Sequence, residues 1–403
     1  MTPAVVVMTL TLLLGIQPIS TDLYLPALPT LQHELGASRA ATQLTLSALI
    51  ICFGLGQLVC GPLSDRFGRR PVLLAGLSLY TVASVFGAAA QDIDALVVWR
   101  ALQGAAMAAA VTCGRSIVRD LFQPHEGARV MSRALGGLGL IAMLSPVVGG
   151  LLVQWISWHA ALLATAVFGA GTLGFIALRF EESLPRRNPQ ATRPAQLLRN
   201  WAEVLRDPTF RAYTALLCST WGGLFVLLAG SSFVFINVLG TSRIVYGAIL
   251  ATSSLAYVAG TLWCRRLLLH HGLTGAVKRG AGLSLAGGVG MAVLSLAGVQ
   301  SVWAIMLPQL LFAFGHGIHQ PCGQAGAVGP FPEKAGTAAS LTGFAMMLTA
   351  SAIGVWLGHA PTHTVYPVTL GVGGFSIVLS VVAWTLVQRH GEPRAAHAVA
   401  APT

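Results

Sequence analysis

Uncharged apolar stretches of about 18 to 25 residues recur from one end of this chain to the other, each long enough to cross a hydrocarbon core of roughly 30 Å as a helix. No water is present in such a core to satisfy backbone N–H and C=O groups, so only helices or closed barrels can span it. A barrel would show short segments of alternating polarity, and this sequence does not. Of the 403 residues only 9% are charged, against about a quarter in an ordinary soluble domain. The expectation is an all-α integral membrane protein.

The spans are predicted at 4–28, 41–62, 72–90, 94–115, 130–154, 159–179, 212–238, 244–264, 277–298, 301–326, 335–358 and 366–388, twelve in all. The longest polar interruption, Arg179 to Arg211, is rich in Pro and Arg and cannot continue an apolar helix. It divides six helices from six. The expected organisation is a first six-helix bundle over 1–180, a cytoplasmic linker at 181–211, a second bundle over 212–390 and a cytoplasmic tail at 391–403. A faint echo of G-P-L-S-D-R-F-G-R-R after helix 2 in G-T-L-W-C-R-R-L-L-L-H-H-G after helix 8 suggests that the halves are repeats. The first run lacks a basic leader and reads as a retained helix.

A net charge of +11 could suggest nucleic acid, but the basic residues lie in short clusters between apolar runs. With a cytoplasmic N-terminus they fall on alternate loops, leaving only Arg39 and Arg243 on the opposite side, which sets the orientation. Their partner is then anionic lipid, with no nucleic acid expected. The six cysteines sit in or beside apolar runs and suggest no disulfide framework. The chain has no G-x-x-x-x-G-K-[ST] loop for ATP and no loop large enough for a soluble catalytic domain. No enzyme activity, cofactor or metal is expected.

Four polar features interrupt the apolar runs. The first is Asp22, in Q-P-I-S-T-D-L-Y-L-P-A-L-P; a carboxylate near a bilayer centre costs roughly 2.5–3.5 kcal/mol, so it is paired, wetted or titrating. The second is W-R-A-L-Q-G-A-A, where Arg100 and Gln103 share a helix face; Arg100 either snorkels outward or pairs, and Asp22 is the obvious acid. The third, between helices 2 and 3, holds Gly61, Asp65, Arg66, Gly68, Arg69 and Arg70, an acid among arginines with glycines for a tight turn. The fourth is F-G-H-G-I-H-Q-P-C-G-Q, where His316 and His319 share a face; the readings open here are proton handling, substrate contact, plain cavity lining and, with Cys322, a metal. Helix 5 adds small residues at close spacing around Ser145, Pro146, Gly149 and Gly150, a pattern that lets helices approach.

The string G-P-L-S-D-R-F-G-R-R-P resembles the signature loop of the major facilitator superfamily. T-D-L-Y-L-P-A-L-P, G-S-S-F-V-F-I-N-V-L-G and P-F-P-E-K-A-G-T-A-A-S-L look like the Bcr/CflA group of drug/proton antiporters within it. The resemblance implies the major facilitator fold with its site near the midplane between the halves. It implies gating by Asp65 and Arg69, proton coupling by Asp22 and Arg100, an antiporter motif at Ser145–Gly150, and a cavity including Gln17, Tyr24, Gln103, Trp221, His316 and His319. Three positions depart from the pattern: Ser145 stands where relatives tend to have Gly or Ala, Ser232 where they tend to have Pro, and Leu14 where some carry a second acid. The function implied is proton-coupled efflux of drugs or antibiotics by a monomer in a bacterial inner membrane, both termini cytoplasmic. The alternatives are a proton-coupled exporter of an endogenous amino acid or short peptide, and a membrane receptor or scaffold.

Overall fold

The structure, a computed structural model, describes residues 2–122, 124–184, 186–331, 334–361 and 363–391. The tail expected from 391 onward lies outside these residues, save Gly391. Among them every regular element is a helix. In the first half these are α1 (Pro3–Thr21), a 3-10 turn (Leu25–Ala27), α2 (Leu28–Glu34), α3 (Arg39–Phe67), α4 (Arg69–Ala88), α5 (Ile93–Leu121), α6 (Pro124–Trp155) and α7 (Trp158–Arg179). The second half has α8 (Pro194–Arg206), α9 (Pro208–Ser232) with a π-helical turn (Phe233–Val238), α10 (Arg243–Leu296), α11 (Val302–Val328), α12 (Ala335–His359), α13 (Tyr366–Trp384) and α14 (Leu386–His390).

Eleven of the described helical runs are long and apolar enough to cross a membrane. One of them, α10, has 54 residues, two spans that meet at Gly272. There φ is +64°, a left-handed conformation that suits glycine, so the eighth and ninth spans turn without an intervening loop. Counting its two limbs gives twelve spans in two six-helix bundles, an all-α membrane protein. Large apolar side chains such as Val167, Leu178 and Leu269 project outward at 71%, 84% and 84% exposure, a surface that only hydrocarbon would cover.

Within the first bundle α1 packs on α5, α6 and α7, and α3 and α4 both pack on α5. Within the second, α9 packs on α11, α12 and α13, and α10 on α11 and α13. The bundles meet along two helix pairs, α3 with α12 and α6 with α10. Glycines set the closeness of the second pair: a Cβ on Gly150 would lie 2.5 Å from the Arg243 carbonyl, and one on Gly247 2.5 Å from that of Pro146. Pro3, Phe67, Leu121, the linker and His390 share one end of the molecule, here termed the basic end; Glu34, Arg39, Trp155 and His359 share the far end.

One expectation is corrected. The first span is not one helix over 4–28: α1 stops at Thr21, because Pro18 cannot donate within the helix and Pro26 and Pro29 start new turns. Among the described residues, the interruption between the halves contains one helix. Its second part is α8, which buries Val204 and packs Trp201 on the second bundle while exposing Arg199 and Arg206, and α9 follows from Pro208.

Candidate functional site

The break in α1 organises the polar interior of the first bundle. The Tyr24 N–H donates to Thr21 O (3.2 Å), which leaves the Ser20 carbonyl without its usual helical partner. Arg100, on α5 and 1% exposed, fills that place with Nη2 donating to Ser20 O at 2.9 Å. A cation is well placed at the negative end of a helix. Its Nη1 donates to Gln103 Oε1 (2.6 Å), and its guanidinium lies 4.2 Å from the Tyr24 ring centroid. Gln103 in turn donates to Ser84 Oγ (2.7 Å) and Thr165 Oγ1 (3.2 Å), while Ser20 Oγ lies 2.7 Å from Tyr80 Oη and Tyr24 Oη 2.8 Å from Thr45 Oγ1. Ser20, Thr45, Tyr80, Ser84 and Thr165 were not anticipated; a single hydroxyl in an apolar run carries no signal of which neighbours it will meet.

Asp22 is not paired with Arg100. Among the described residues it is in no ion pair; it accepts from Thr21 Oγ1 at 2.8 Å and caps α1 through its own N–H to Pro18 O at 2.8 Å. It is part-exposed and lies near Tyr246 of α10, while Arg100 is drawn inward by the broken helix end. Arg100 does not snorkel outward either. Gln17 is half-buried beside this site, and its carbonyl accepts from Thr21 Oγ1 (3.0 Å).

In the loop between α3 and α4, Gly68 has φ +106°, a turn that a side chain would strain. Buried Arg69 meets Asp65 (2.6 Å), Asp120 at the end of α5 (2.8 Å) and Ser64 Oγ (2.6 Å). Glu182 of the linker accepts from the Arg69 and Arg70 N–H groups at 2.9 and 3.2 Å, closing the N-terminus of α4. Arg70 donates to Ala177 O, Arg66 to Thr192 Oγ1 (2.7 Å), and Asn188 N–H to Asp65 O, so the loop is fastened to the first bundle and to the first part of the linker. Gly61 lies against Thr112 of α5.

On α6, Ser145 is buried with Oγ donating to Ile141 O at 2.6 Å. Pro146 faces Gly247 across the bundle interface, Gly149 packs directly on the Leu23 carbonyl at the α1 break, and Gly150 packs on Arg243. These residues bring α6, α10 and the neighbour of Asp22 to one crossing.

In the second bundle, buried His316 places Nδ1 2.9 Å from Thr220 Oγ1, with the rings of Tyr257 and Trp221 at 5.4 and 6.1 Å. His319 turns instead to Val277 O (3.3 Å), and Cys322 to Cys264 at 3.5 Å between sulfurs. The three residues therefore have separate partners, and among the described residues no group of three or more His, Cys, Asp or Glu side chains is arranged to hold a metal. The Trp221 Nε1 and His319 Nδ1 atoms are buried without a partner.

The far end is closed by bonds between bundles: Arg39 Nη1 donates to Ala360 O and Pro361 O (both 3.0 Å), Gln43 Nε2 to Ala229 O (2.6 Å) and Arg243 Nε to Thr30 Oγ1 (3.0 Å). The basic end instead holds a cavity of about 190 Å³ between α3 and α5 of one bundle and α11 and α12 of the other. Closed far end, cavity at the basic end and a broken helix between them are the geometry of a carrier.

Residues 10–355 match the Major Facilitator Superfamily. The chain belongs to this family. It is 31% identical over 246 residues to an uncharacterized MFS-type transporter, YdgK, of Bacillus subtilis strain 168, covering 60% of this chain and 61% of that protein. It is 28% identical to Multidrug resistance protein D of Escherichia coli K12, with 83% of each chain covered. It is also 28% identical to a Chloramphenicol resistance protein of Pseudomonas aeruginosa, over 87% of this chain and 83% of that one. Its relatives are thus of the Bcr/CflA type. Among solved structures it superposes on a D-xylose-proton symporter with TM-score 0.72 at 15% identity, covering 94% of this chain and 97% of that one, which supports the fold. This family member is a multi-pass membrane transporter and not an enzyme.

Proposed function

We propose that this transporter exports small amphipathic drugs or antibiotics from a bacterial cytoplasm in exchange for protons. The basic end faces the cytoplasm, since it carries the arginine-rich loops, and the membrane is the inner one. The observation that carries the reading is Asp22: it stands at the break of α1, part-exposed and near Tyr246 of the second bundle, with a hydroxyl and, among the described residues, no cation as its partner. Its carboxylate can take or lose a proton without breaking an ion pair. Arg100 acts by holding the broken end of α1 in place. Interrupted helices are where transporters of this kind build their sites, and the names of the drug-resistance relatives give the substrate class.

In the cycle, the parts 1–180 and 212–390 rock about the central site while 181–211 connects them. Protons from outside load Asp22, the carrier turns inward, substrate favours proton loss to the cytoplasm, and the loaded carrier turns out. Gln17, Tyr24, Gln103, Trp221, His316 and His319 line the path, and Asp65 and Arg69 brace the basic end.

The test is Asp22→Asn in proteoliposomes and in an efflux-deficient bacterial host. The variant is expected to bind drug and to lose export driven by a proton gradient, with susceptibility restored to that of the host. Full pH-driven export would refute the role of Asp22. Tolerance to an amino acid or peptide with unchanged drug susceptibility would replace the drug by a metabolite, and no pH-driven flux of any candidate would favour a receptor.

A further inference from the structure

The cavity at the basic end has a charge pattern that the proton-coupling site does not explain. Its wall from α5 carries Arg115 and Arg119 together with Thr112 and Ser116, and hydroxyl and amide groups come from Ser340 and Gln57. No acid lines it. Among the described residues neither arginine has a hydrogen bond or ion-pair partner, although Arg69 nearby meets two carboxylates. Across the cavity the first residues of α12, Ala335 and Gly336, are lining residues, and that 25-residue helix has no side-chain cap at its N-terminus. The first N–H groups of a helix are orphan donors and its N-terminus carries partial positive charge. A Cβ on Gly336 would sit 3.6 Å from Arg119 Nη1, so a guanidinium faces the positive end of a helix at close range. Lys334, the residue before α12, adds a further cation, already engaged by Glu203. Two exposed guanidinium groups and a helix N-terminus border a space that bears hydroxyls and, among the described residues, no negative charge; an anion could contact all of them.

We infer that this cavity binds the anionic group of an amphiphile, a carboxylate, sulfonate or phosphate, between Arg115 and Arg119 of the first bundle and the α12 N-terminus of the second. The chemistry can come from an acidic substrate on its way to export or from an anionic lipid headgroup of the adjoining leaflet. The assignment of a substrate to it rests on the exporter reading; the binding itself does not. An anion held there bridges parts of both bundles, so it favours the conformation in which the cavity exists.

The experiment uses the full chain in phosphatidylcholine nanodiscs with two probes of matched size, naphthalene-2-sulfonate and 2-naphthyltrimethylammonium, by calorimetry. The sulfonate is expected to bind at least about 10-fold more tightly than the ammonium, and less tightly as salt is raised. In Arg115→Gln/Arg119→Gln that preference disappears, while Arg115→Lys/Arg119→Lys keeps most of it. Equal affinity of the two probes for the unmodified protein, a measurement that needs no variant to fold, overturns the inference, as does undiminished sulfonate binding by the folded glutamine variant. Adding phosphatidylglycerol to the nanodiscs separates the sources. Competition with the sulfonate supports a lipid occupant, and none supports a soluble anionic substrate. Absence of drug export with sulfonate preference intact would count against the exporter reading alone.

Discussion

Arg39 offers the sharpest test of how the far end is held shut. It is 7% exposed, donates to two carbonyls of the turn after α12 and lies 4.8 Å from the Phe233 ring centroid in the π-helical turn, so all its partners belong to the other bundle. Two hydrogen bonds from a charged group contribute about 1.5 kcal/mol each at the low end of their range, and the ring contact about 0.5 kcal/mol. Against this stand the rotamer entropy of an ordered arginine, about 1.5–2 kcal/mol, and a buried Nε with no partner. Counting about 1 kcal/mol for that Nε, a net of about 0.5–1 kcal/mol remains, a factor of roughly 2 to 5 in the equilibrium between closed and open far ends. Arg39→Ala should therefore shift that equilibrium by this factor, visible as a long component in the spin-label distance distribution between Ser38→Cys and His359→Cys. Arg39→Lys should recover part of the effect, since one ammonium can reach only some of the same acceptors. An unchanged distance distribution in Arg39→Ala would refute the reasoning.

Gly150→Ala should force α6 and α10 apart, because its Cβ would meet the Arg243 carbonyl at 2.5 Å; overpacking of this kind costs about 1–3 kcal/mol, to be read as a lower melting temperature together with slower transport. Asp120→Asn leaves buried Arg69 with a single carboxylate, and removal of a partner from such a pair costs up to about 3 kcal/mol; thermal unfolding should show it, whereas Asp65→Asn should slow turnover with substrate affinity nearly unchanged. Glu203 is held below the ordinary carboxylate range by its hydrogen bond and ion pair with Lys334. Since the docked form lowers its pKa, this pairing contributes fully above the usual carboxylate range and is lost as pH falls through the lowered value. Hydrogen exchange of α8 should accordingly rise only in that acid range, and Glu203→Gln should abolish the pH dependence.

The membrane class, the spans and the division into halves were legible because apolar run length is a direct readout of bilayer thickness. The loop around Asp65 was legible because its glycines and alternating charges form a contiguous string. The relation of Asp22 to Arg100 was not. Spacing says that both lie inside spans, but the choice of partner was decided by a backbone event, the break after Thr21, which released the Ser20 carbonyl. Prolines at 18, 26 and 29 hint at such a break without saying which carbonyl it frees. Arg39 was read as a loop charge because its partners, Ala360 and Pro361, are main-chain atoms more than 300 positions away, and a sequence gives no sign of which carbonyls are open. The turn of His319 away from His316 has the same origin, since Val277 lies on a limb of α10 whose direction is set at Gly272.

The linker has a mechanical consequence. Its first part is riveted to one bundle, through Glu182, Asn188 and Thr192, and its helix α8 to the other, through Trp201, Val204 and the contact of Glu203 with Lys334. Between the last rivet, Thr192, and the first residue of α8, Pro194, the chain can extend by only roughly 7 Å. Any wider swing of the halves must unfasten one side first. The connector therefore works as a short tether whose slack sets the stroke of the carrier, and lengthening it at Arg193 would loosen that stroke without touching any residue that meets substrate.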